Sequence, residues 1–398
     1  MCLTLAAVII PVSAFCEEPS AAQLANWLKR FPAADADGDG KLTVAEALAY
    51  REKMTGGAKP AQGKPAGGGA PMEFEVDAGW DAERFPEHAV SYKSPEEIAA
   101  IYAKQLRGDQ PAVVSFPKPT DGALRIVGTG HSFMAPGYKT LPIICEAAGF
   151  KQPLYTHTGG GITGSTRYKW EQENGIFQFE GKPVPKLLAS IANAEWDAMM
   201  WGPYFKDRPE YYSCWIDFCL KYHPKMKFYL SDAWPQLYQL DKVPESEAFF
   251  NEEVFEKMGR ERTAGYSELV RKLRESHPAQ VFIMPTSDAM VLAAKHYLRG
   301  ELPGIEGINK TIGKKERSLW RDQLGHLGPG FERLEGYVFY ATLYGRSPEL
   351  LEGDAPFRDG GDFPSRELDR LFRKIAWEAV SHHPLSGVKD ENGDGVRD

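Results

Sequence analysis

Apolar and polar positions along residues 123–346 follow two alternating patterns. Some stretches have the length and composition of β-strands, and those between or after them repeat apolar residues at helical spacing. The predicted strands cover residues 124–128, 196–201, 226–230 and 279–285, and the predicted helices cover residues 139–149, 184–194, 211–223 and 266–276. Strands that alternate with helices predict a three-layer α/β/α domain, in which helices cover both faces of a parallel sheet.

The regions outside this domain predict smaller units. A helix is predicted at residues 94–106, a strand at residues 112–116 and an amphipathic helix at residues 368–380. Residues 55–71 consist mainly of small residues and proline, so they predict a flexible linker. We expect a signal peptide at 1–16, a small helical module at 17–56, a linker at 57–72, a flanking segment at 73–122, the main domain at 123–350 and a C-terminal helix with an acidic tail at 351–398.

The first sixteen residues have features of a secretory signal. Their apolar run is too short to span a bilayer, and the small residues Ser13 and Ala14 follow it at a suitable cleavage position. The run lacks the usual basic start, and bulky Phe15 argues against lipidation of Cys16. No later stretch offers the ~20 uncharged apolar residues of a membrane helix. We therefore expect a secreted or periplasmic protein without a transmembrane segment.

Charge and cysteine content narrow the class of partner. The 398 residues carry a formal net charge of −8, which disfavours nucleic acids and anionic membranes because both attract basic surfaces. Five cysteines in a chain of this length do not make a disulfide scaffold.

Residues 35–46 resemble the calcium-binding loop of an EF-hand. Gly40 stands where that loop turns sharply, and four carboxylates in one loop would repel each other without a hard cation. The expected metal ligands are Asp35, Asp37, Asp39, the main-chain carbonyl of Lys41, and Glu46. The alternative is an acidic turn exposed to solvent.

The end of the chain repeats the first half of such a loop. Asp390, Asn392 and Asp394 take the first three ligand positions, and the position of the final acid lies past Asp398. These residues predict a second calcium site that pairs with the first loop, or else a frayed acidic tail.

Two short motifs at opposite ends of the main domain carry the candidate chemistry. Ser132 follows the first predicted strand in the sequence G-H-S, and the carboxyl ends of parallel strands are where reactive groups lie. A serine hydroxyl needs a base, and Asp322 precedes His326 by four residues on one short segment. A carboxylate beside an imidazole fixes its tautomer, so this pair is the candidate base. Alone, G-H-S is more often a plain turn.

Together these motifs resemble the SGNH or GDSL-like hydrolase superfamily over roughly residues 123–346. The family's G-D-S motif corresponds to G-H-S here, which implies Ser132 as the nucleophile, His326 as its base and Asp322 as the partner of that base. The resemblance also implies a flavodoxin-like parallel sheet closed by a helix at residues 334–345. The Gly164 N–H would then join that of Ser132 in an oxyanion hole.

Three positions depart from the family pattern. His131 stands in place of the aspartate of G-D-S, and one extra residue separates Asp322 from His326. The third family block supplies an oxyanion-binding asparagine, which the sequence M-M-W-G-P-Y-F-K-D lacks. Tyr204 can donate a hydrogen bond from about that place, and the loss of one donor costs about 10² in rate.

The sequence therefore predicts a secreted serine hydrolase of carboxylic esters, with a small-molecule or glycan ester as substrate. Calcium is expected as a structural ion, and no cofactor is expected for catalysis. Aromatic residues near the motifs suit sugar rings and favour a carbohydrate acetyl esterase, but they suit a packed core equally well. These residues are Trp170, Trp201, Tyr204, Trp215, Trp234 and Trp320. The alternative is a calcium-dependent extracellular binding or adhesion protein whose SGNH-like domain is catalytically silent.

Overall fold

The chain was analysed as a computed structural model, in which it divides into two compact units, Met1–Ala70 and Pro71–Asp398. The structure describes residues 24–25, 28, 32–46, 49–50, 93–103, 111–158, 178–179, 182–183, 187–202, 209–278, 280–352 and 363–398. The predicted signal peptide at 1–16 and the linker at 57–72 lie outside these residues. The division falls within the predicted linker.

Five parallel strands form the central sheet of the second unit. The described residues contain nine strands, of which five belong to this sheet: β1 (Ile126–Gly130), β2 (Leu154–Thr158), β3 (Gln178–Phe179), β4 (Lys182–Pro183), β5 (Ala198–Trp201), β6 (Lys227–Ser231), β7 (Val281–Met284), β8 (Gly307–Asn309) and β9 (Ser318–Trp320). The sheet order is β2-β1-β5-β6-β7, while β3 and β4 form an antiparallel pair and β8 and β9 a parallel pair. Ile126 lies between Leu154 and Ala198 in the register. This is the strand order of a flavodoxin-like, doubly wound sheet.

Helices cover both faces of this sheet. They are α1 (Pro95–Ala103), α2 (Ala135–Ala147), α3 (Leu187–Asn193), α4 (Glu210–Tyr222), α5 (Glu252–Ser276), α6 (Thr286–Leu298), α7 (Lys310–Gly313), α8 (Phe331–Tyr344) and α9 (Arg366–His382). Short 3₁₀ turns lie at Pro32–Ala34, Leu237–Gln239, Glu247–Phe249 and Pro348–Leu350. Among the described residues, no helix has the length and apolar character needed to cross a membrane.

Successive strand residues point into two separate apolar cores. In β1, Ile126 joins the core beneath α2, α6, α8 and α9, whereas Val127 joins the core beneath α1, α3 and α4. In β5, Met200 and Met199 divide in the same way, because side chains alternate across a strand. The buried faces on both sides explain why the strand sequences are almost continuously apolar.

The predicted parallel α/β architecture is confirmed, and each of the four predicted strands overlaps a strand of the sheet. The edge strand β2 was missed, because its residues are half-buried and largely polar. α5 begins well before the predicted residue 266, at a cap where the Asn251 side chain accepts a hydrogen bond from the N–H of Val254. Its first half is rich in charge, which hides the apolar stripe from the sequence pattern.

The predicted strand at residues 112–116 is wrong. The described residues 111–120 contain neither helix nor strand. Prolines at 111, 117 and 119 flank the apolar run and remove backbone donors. The N–H of Val114 donates instead to the Ser190 hydroxyl, and the Phe116 ring meets the Trp196 ring edge-on at 5.7 Å. The segment therefore packs by its side chains and joins no sheet.

Candidate active site

Ser132 lies in the turn between the carboxyl end of β1 and the start of α2. Glycine lets this turn approach its neighbours closely: a Cβ atom at Gly130 would lie 2.8 Å from Met134 Cγ and 3.1 Å from the Gly202 nitrogen. The N–H of Met134 donates to the carbonyl of His131 and closes the turn. As a result, Ser132 is exposed at the carboxyl edge of the sheet.

Asp322 and His326 lie on a tight loop that follows β9. The N–H of Gly325 donates to the Asp322 carbonyl, and the N–H of Arg321 donates to the His326 carbonyl. Gly325 has a φ of +83°, a left-handed conformation that favours glycine. The Asn309 side chain donates to the Asp322 carbonyl and holds the loop from β8. This folded loop brings the two side chains together despite the extra residue between them.

The three predicted catalytic side chains form one hydrogen-bonded row. Ser132 Oγ lies 2.7 Å from His326 Nε2, and His326 Nδ1 lies 2.7 Å from Asp322 Oδ2. Partial burial raises the pKa of Asp322, but the hydrogen bonds and charge of His326, with help from Arg321, outweigh it and hold that pKa below its ordinary value. The carboxylate is therefore ionised at neutral pH and orients the imidazole toward the hydroxyl.

His131 is not the imidazole that contacts Ser132. Its ring is 5% exposed, and its Nδ1 accepts a hydrogen bond from the N–H of Phe133 at 3.3 Å. That bond places the ring proton on Nε2, which lies 3.4 Å from where a Cβ atom on Gly202 would be. The His131 ring thus fills the space between the turn after β1 and Gly202, which follows β5.

The two further oxyanion donors proposed from the resemblance, Gly164 and Tyr204, lie outside the described residues. Trp170 lies outside them as well. The other four tryptophans of the aromatic group are buried at 3% exposure or less, which assigns them to the core and offers no ring face to a sugar. They are Trp201, Trp215, Trp234 and Trp320.

Two residues that contact the loop of His326 or the helix after Ser132 were not predicted from the sequence. Phe133 stacks on Trp234 at 4.7 Å between ring centroids and meets the His326 ring edge-on at 4.9 Å. Glu335 on α8 accepts a hydrogen bond from the N–H of Gly137 on α2, at 2.6 Å. For Glu335, the available signal was a carboxylate on the apolar face of a helix.

The acidic loop of the first unit has a compact form. The carboxylates of Asp35, Asp37 and Asp39 lie within 4.8 Å of one another, a separation that fits a shared cation with oxygen ligands. Glu46 accepts hydrogen bonds from main-chain N–H groups of the same loop. The side-chain and backbone bonds from Thr43, acting against slight desolvation, hold the pKa of Glu46 below its ordinary value.

The C-terminal loop has the same internal hydrogen bonds as the first loop. In both loops, three side chains accept hydrogen bonds from main-chain N–H groups of the same loop. The side chain at position 1 accepts from the N–H at position 6, the side chain at position 3 accepts from the N–H at position 5, and the side chain at position 5 accepts from the N–H at position 7. The pairs are Asp35–Gly40 at 2.8 Å, Asp37–Asp39 at 3.1 Å and Asp39–Lys41 at 2.7 Å in the first loop, and Asp390–Gly395 at 3.1 Å, Asn392–Asp394 at 2.8 Å and Asp394–Val396 at 2.8 Å in the second.

The tail is not frayed. The N–H of Ser347 donates to the Gly395 carbonyl, and the N–H of Arg397 donates to the Gly345 carbonyl, both at 2.7 Å. The Trp377 indole donates to the carboxylate of Asp390 at 2.9 Å. These bonds fix the C-terminal loop to the end of α8 and to α9.

No family model matches the chain, and no curated protein matches it. Among solved structures, it is similar to a chain described as a "putative platelet activating factor" from Streptococcus pneumonia. The two chains are 12% identical with a TM-score of 0.31, and the alignment covers 66% of this chain and 98% of the other. The fold is therefore assigned from the sheet order, and the site from its own geometry.

Proposed function

We propose that the protein is a secreted serine hydrolase of the SGNH type that cleaves carboxylic esters. The observation that carries this proposal is the row of Ser132, His326 and Asp322, in which both hydrogen bonds measure 2.7 Å. The nucleophile comes from the turn after β1, the base and its orienting carboxylate come from the loop after β9, and the three meet at the carboxyl edge of a parallel sheet. This is the arrangement that activates a serine hydroxyl for acyl transfer.

The proposed reaction has two acyl-transfer steps. Ser132 Oγ attacks the ester carbonyl while His326 Nε2 takes the hydroxyl proton. The tetrahedral intermediate collapses, His326 returns the proton to the leaving alcohol, and the acyl group stays on Ser132. Water then attacks the acyl-enzyme with His326 again as base, which releases the carboxylic acid and restores the serine. Asp322 stabilises the imidazolium in both steps.

The oxyanion of each intermediate needs hydrogen-bond donors. The backbone N–H of Ser132 is one proposed donor, and we assign Gly164 and Tyr204 as the others from the family resemblance. The Tyr204 hydroxyl would replace an asparagine amide. A substrate with a good leaving group therefore suits this enzyme better than a demanding amide, because the leaving group lowers the barrier that a weaker oxyanion hole leaves.

The narrower proposal, an acetyl ester on a carbohydrate, rests on the predicted export and on the resemblance. The four buried tryptophans give it no support. O-acetylated xylan oligosaccharides, compared with a long-chain acyl ester, distinguish a carbohydrate acetyl esterase from an esterase of long-chain acyl groups. Calcium is proposed as a structural ion in residues 35–46, because the carboxylates of Asp35, Asp37 and Asp39 converge there.

The test of the serine mechanism is hydrolysis of 4-nitrophenyl acetate by wild type and by Ser132→Ala. Removal of the nucleophile is expected to lower kcat at least about 10³-fold and to abolish covalent labelling by a fluorophosphonate probe. Ser115→Ala, at an exposed serine outside the row, is the matched control and should keep wild-type kcat. Equal rates for Ser132→Ala and wild type would refute the mechanism and favour the silent binding protein, whose glycan binding survives the same substitution.

A further inference from the structure

Trp234 joins both catalytic loops. Its side chain is 1% exposed and lies three residues past the end of β6. The indole Nε1–H donates a hydrogen bond to the carbonyl of Gly325, which immediately precedes His326. Its ring stacks on Phe133, the neighbour of Ser132, with the ring planes 21° apart. A single side chain therefore contacts the backbone of one catalytic loop and a side chain of the other.

The segment that carries Trp234, residues 231–236, is itself held firmly; we name it the brace segment. Asp232 Oδ1 accepts hydrogen bonds from the N–H of Ser287 and the hydroxyl of Thr286, at the start of α6. The N–H of Ala233 donates to the Ser231 hydroxyl, and Ala233 has a φ of +52°, which alanine rarely adopts. The brace segment therefore keeps an unfavourable backbone conformation that is fixed from β7 and α6.

The brace segment fits closely against the loop of Asp322 and His326. A Cβ atom on Gly325 would lie 3.0 Å from Gln236 Cγ, 3.1 Å from the Pro235 carbonyl oxygen and 3.4 Å from Trp234 Cδ1. The loop backbone consequently has no room to move toward the brace segment. The hydrogen bond from the indole opposes movement in the other direction.

A second contact reaches the base itself. The Phe133 ring lies between the Trp234 and His326 rings, stacked on the first at 4.7 Å and edge-on to the second at 4.9 Å. Trp234 thus acts on His326 by two routes, through the Gly325 carbonyl and through Phe133.

We propose that Trp234 is a positioning residue, which sets the distance from His326 to Ser132 and the alignment of His326 with Asp322. This inference rests on the proposed serine mechanism. A tryptophan that merely filled the core would stabilise the fold, and its effect would not extend to the pH dependence of the reaction. Displacement of a catalytic group by about 1 Å can cost about 10²-fold in rate, so a small shift of the loop is measurable.

Trp234→Phe removes the indole hydrogen bond and keeps an aromatic ring in the stack. We expect kcat for 4-nitrophenyl acetate to fall by about 10- to 100-fold while KM stays within about twofold of wild type. The acid limb of the rate profile should move to lower pH, because a misaligned Asp322 stabilises the imidazolium less well. Phe133→Leu should lower kcat in the same direction, and the double variant should lose less than the product of the two effects.

Trp196→Phe is the matched control. The Trp196 indole is also buried and also donates to a backbone carbonyl, that of Ser190, but it lies at the amino edge of the sheet. The Trp196→Phe substitution should lower the melting temperature and leave kcat and the pH profile unchanged. If Trp234→Phe behaves like Trp196→Phe, with lower stability and a wild-type profile, the positioning role is wrong.

A readout that does not depend on turnover separates this inference from the proposed function. The proton that His326 Nδ1 shares with Asp322 gives a downfield NMR resonance, which Trp234→Phe should shift or broaden and Trp196→Phe should not. Wild type could hydrolyse no ester and take no fluorophosphonate label while this resonance still responds to Trp234→Phe. That result would overturn the proposed function and leave the positioning role standing. A resonance that Trp234→Phe leaves unchanged overturns the positioning role, whatever the activity.

Discussion

Glu335 lies in an environment unlike that of an ordinary, solvated carboxylate. It is 3% exposed, Oε2 accepts from the N–H of Gly137, and Oε1 has no hydrogen-bond partner within the part of the chain that the structure describes. Complete burial raises the pKa of Glu335 well above its ordinary value of 4.5, with Glu332 adding to the rise and the bond from Gly137 opposing it. Burial therefore favours the protonated form of Glu335 in the folded protein, beside the helix that follows Ser132.

The raised pKa of Glu335 predicts how the free energy of unfolding depends on pH. Above pH 4.5 the unfolded chain releases the Glu335 proton while the folded chain keeps it, so the free energy of unfolding falls as pH rises toward the raised folded pKa. Glu335→Gln keeps an acceptor for Gly137 and removes the titration. We expect the melting temperature of the variant to gain on wild type between about pH 4 and pH 8.

Thermal melts of both proteins across that range measure the difference. Asp232 and Asp288 also have raised pKa values because of burial, but they are present in both proteins and cancel in the comparison. A difference in melting temperature that is independent of pH contradicts a neutral Glu335.

At the residue scale, some residues of the candidate site could be predicted from the sequence and others could not. Ser132, Asp322 and His326 were predictable because each lies in a short segment that contains glycine, so that a reactive type of residue occurs within a predicted turn. The roles of Trp234 and Glu335 were not predictable, because their hydrogen-bond partners, Gly325 and Gly137, are 91 and 198 positions away in the sequence. Only the packing of distant elements brings these partners together.

Among the elements, the pair α2 and α8 sets the spacing of the site. α2 begins just after Ser132, and α8 follows the loop of His326, so the contact between these helices fixes the two loops. The helices approach closely: a Cβ atom on Gly137 would lie 2.2 Å from the Phe339 ring, and one on Gly336 would lie 2.2 Å from the Thr140 hydroxyl oxygen. Small residues at both points allow this packing.

Gly137→Ala is expected to push the two helices apart. Overpacking of a tight core contact costs about 1–3 kcal/mol of stability, and the separation should also slow fluorophosphonate labelling of Ser132. Gly259→Ala is the control, since a Cβ atom there would lie 2.7 Å from Val291 in the contact of α5 with α6. It should lower stability without slowing the labelling. Equal labelling rates for Gly137→Ala and wild type would show that this helix pair does not set the site.

Several long periodic elements were predictable from the sequence, whereas the 13-residue helix α6 and the short strands β8 and β9 were not. α8 and α9 fall where apolar residues recur at helical spacing, and residues 228–230 of β6 are continuously apolar. β8 and β9 contain three residues each, which is too short for a pattern, and they are stabilised by Glu247, whose carboxylate accepts from the N–H groups of Ile308 and Asn309.

At the scale of the whole molecule, the protein combines a small unit with a large α/β unit, and each contains one of the two acidic loops. The first loop is expected to bind calcium through its three clustered carboxylates. The second shares its internal hydrogen bonds and is tied to the main domain through Ser347 and Trp377. Calcium at the two loops would thus stabilise different parts of the chain.

Calcium is therefore expected to raise the melting temperature of the full chain, and a chelator to lower it, because a ligand that binds only the folded state stabilises it. Asp37→Ala should remove the response of the first unit, and Asp394→Ala should remove any response of the main domain, because alanine leaves no oxygen ligand at these positions. Differential scanning calorimetry with calcium, magnesium and chelator resolves the two. If a chelator leaves both transitions of wild type unchanged, neither loop binds calcium.

The sequence separation of Ser132 and His326 has a consequence for biosynthesis. The two residues that share the 2.7 Å contact are 194 positions apart, and the loop of His326 rests on a brace segment from the middle of the chain. A ribosome delivers the serine long before the histidine that contacts it. The contact between these two side chains therefore forms only when nearly the whole domain has been made and folded, and any activity that depends on it waits until then.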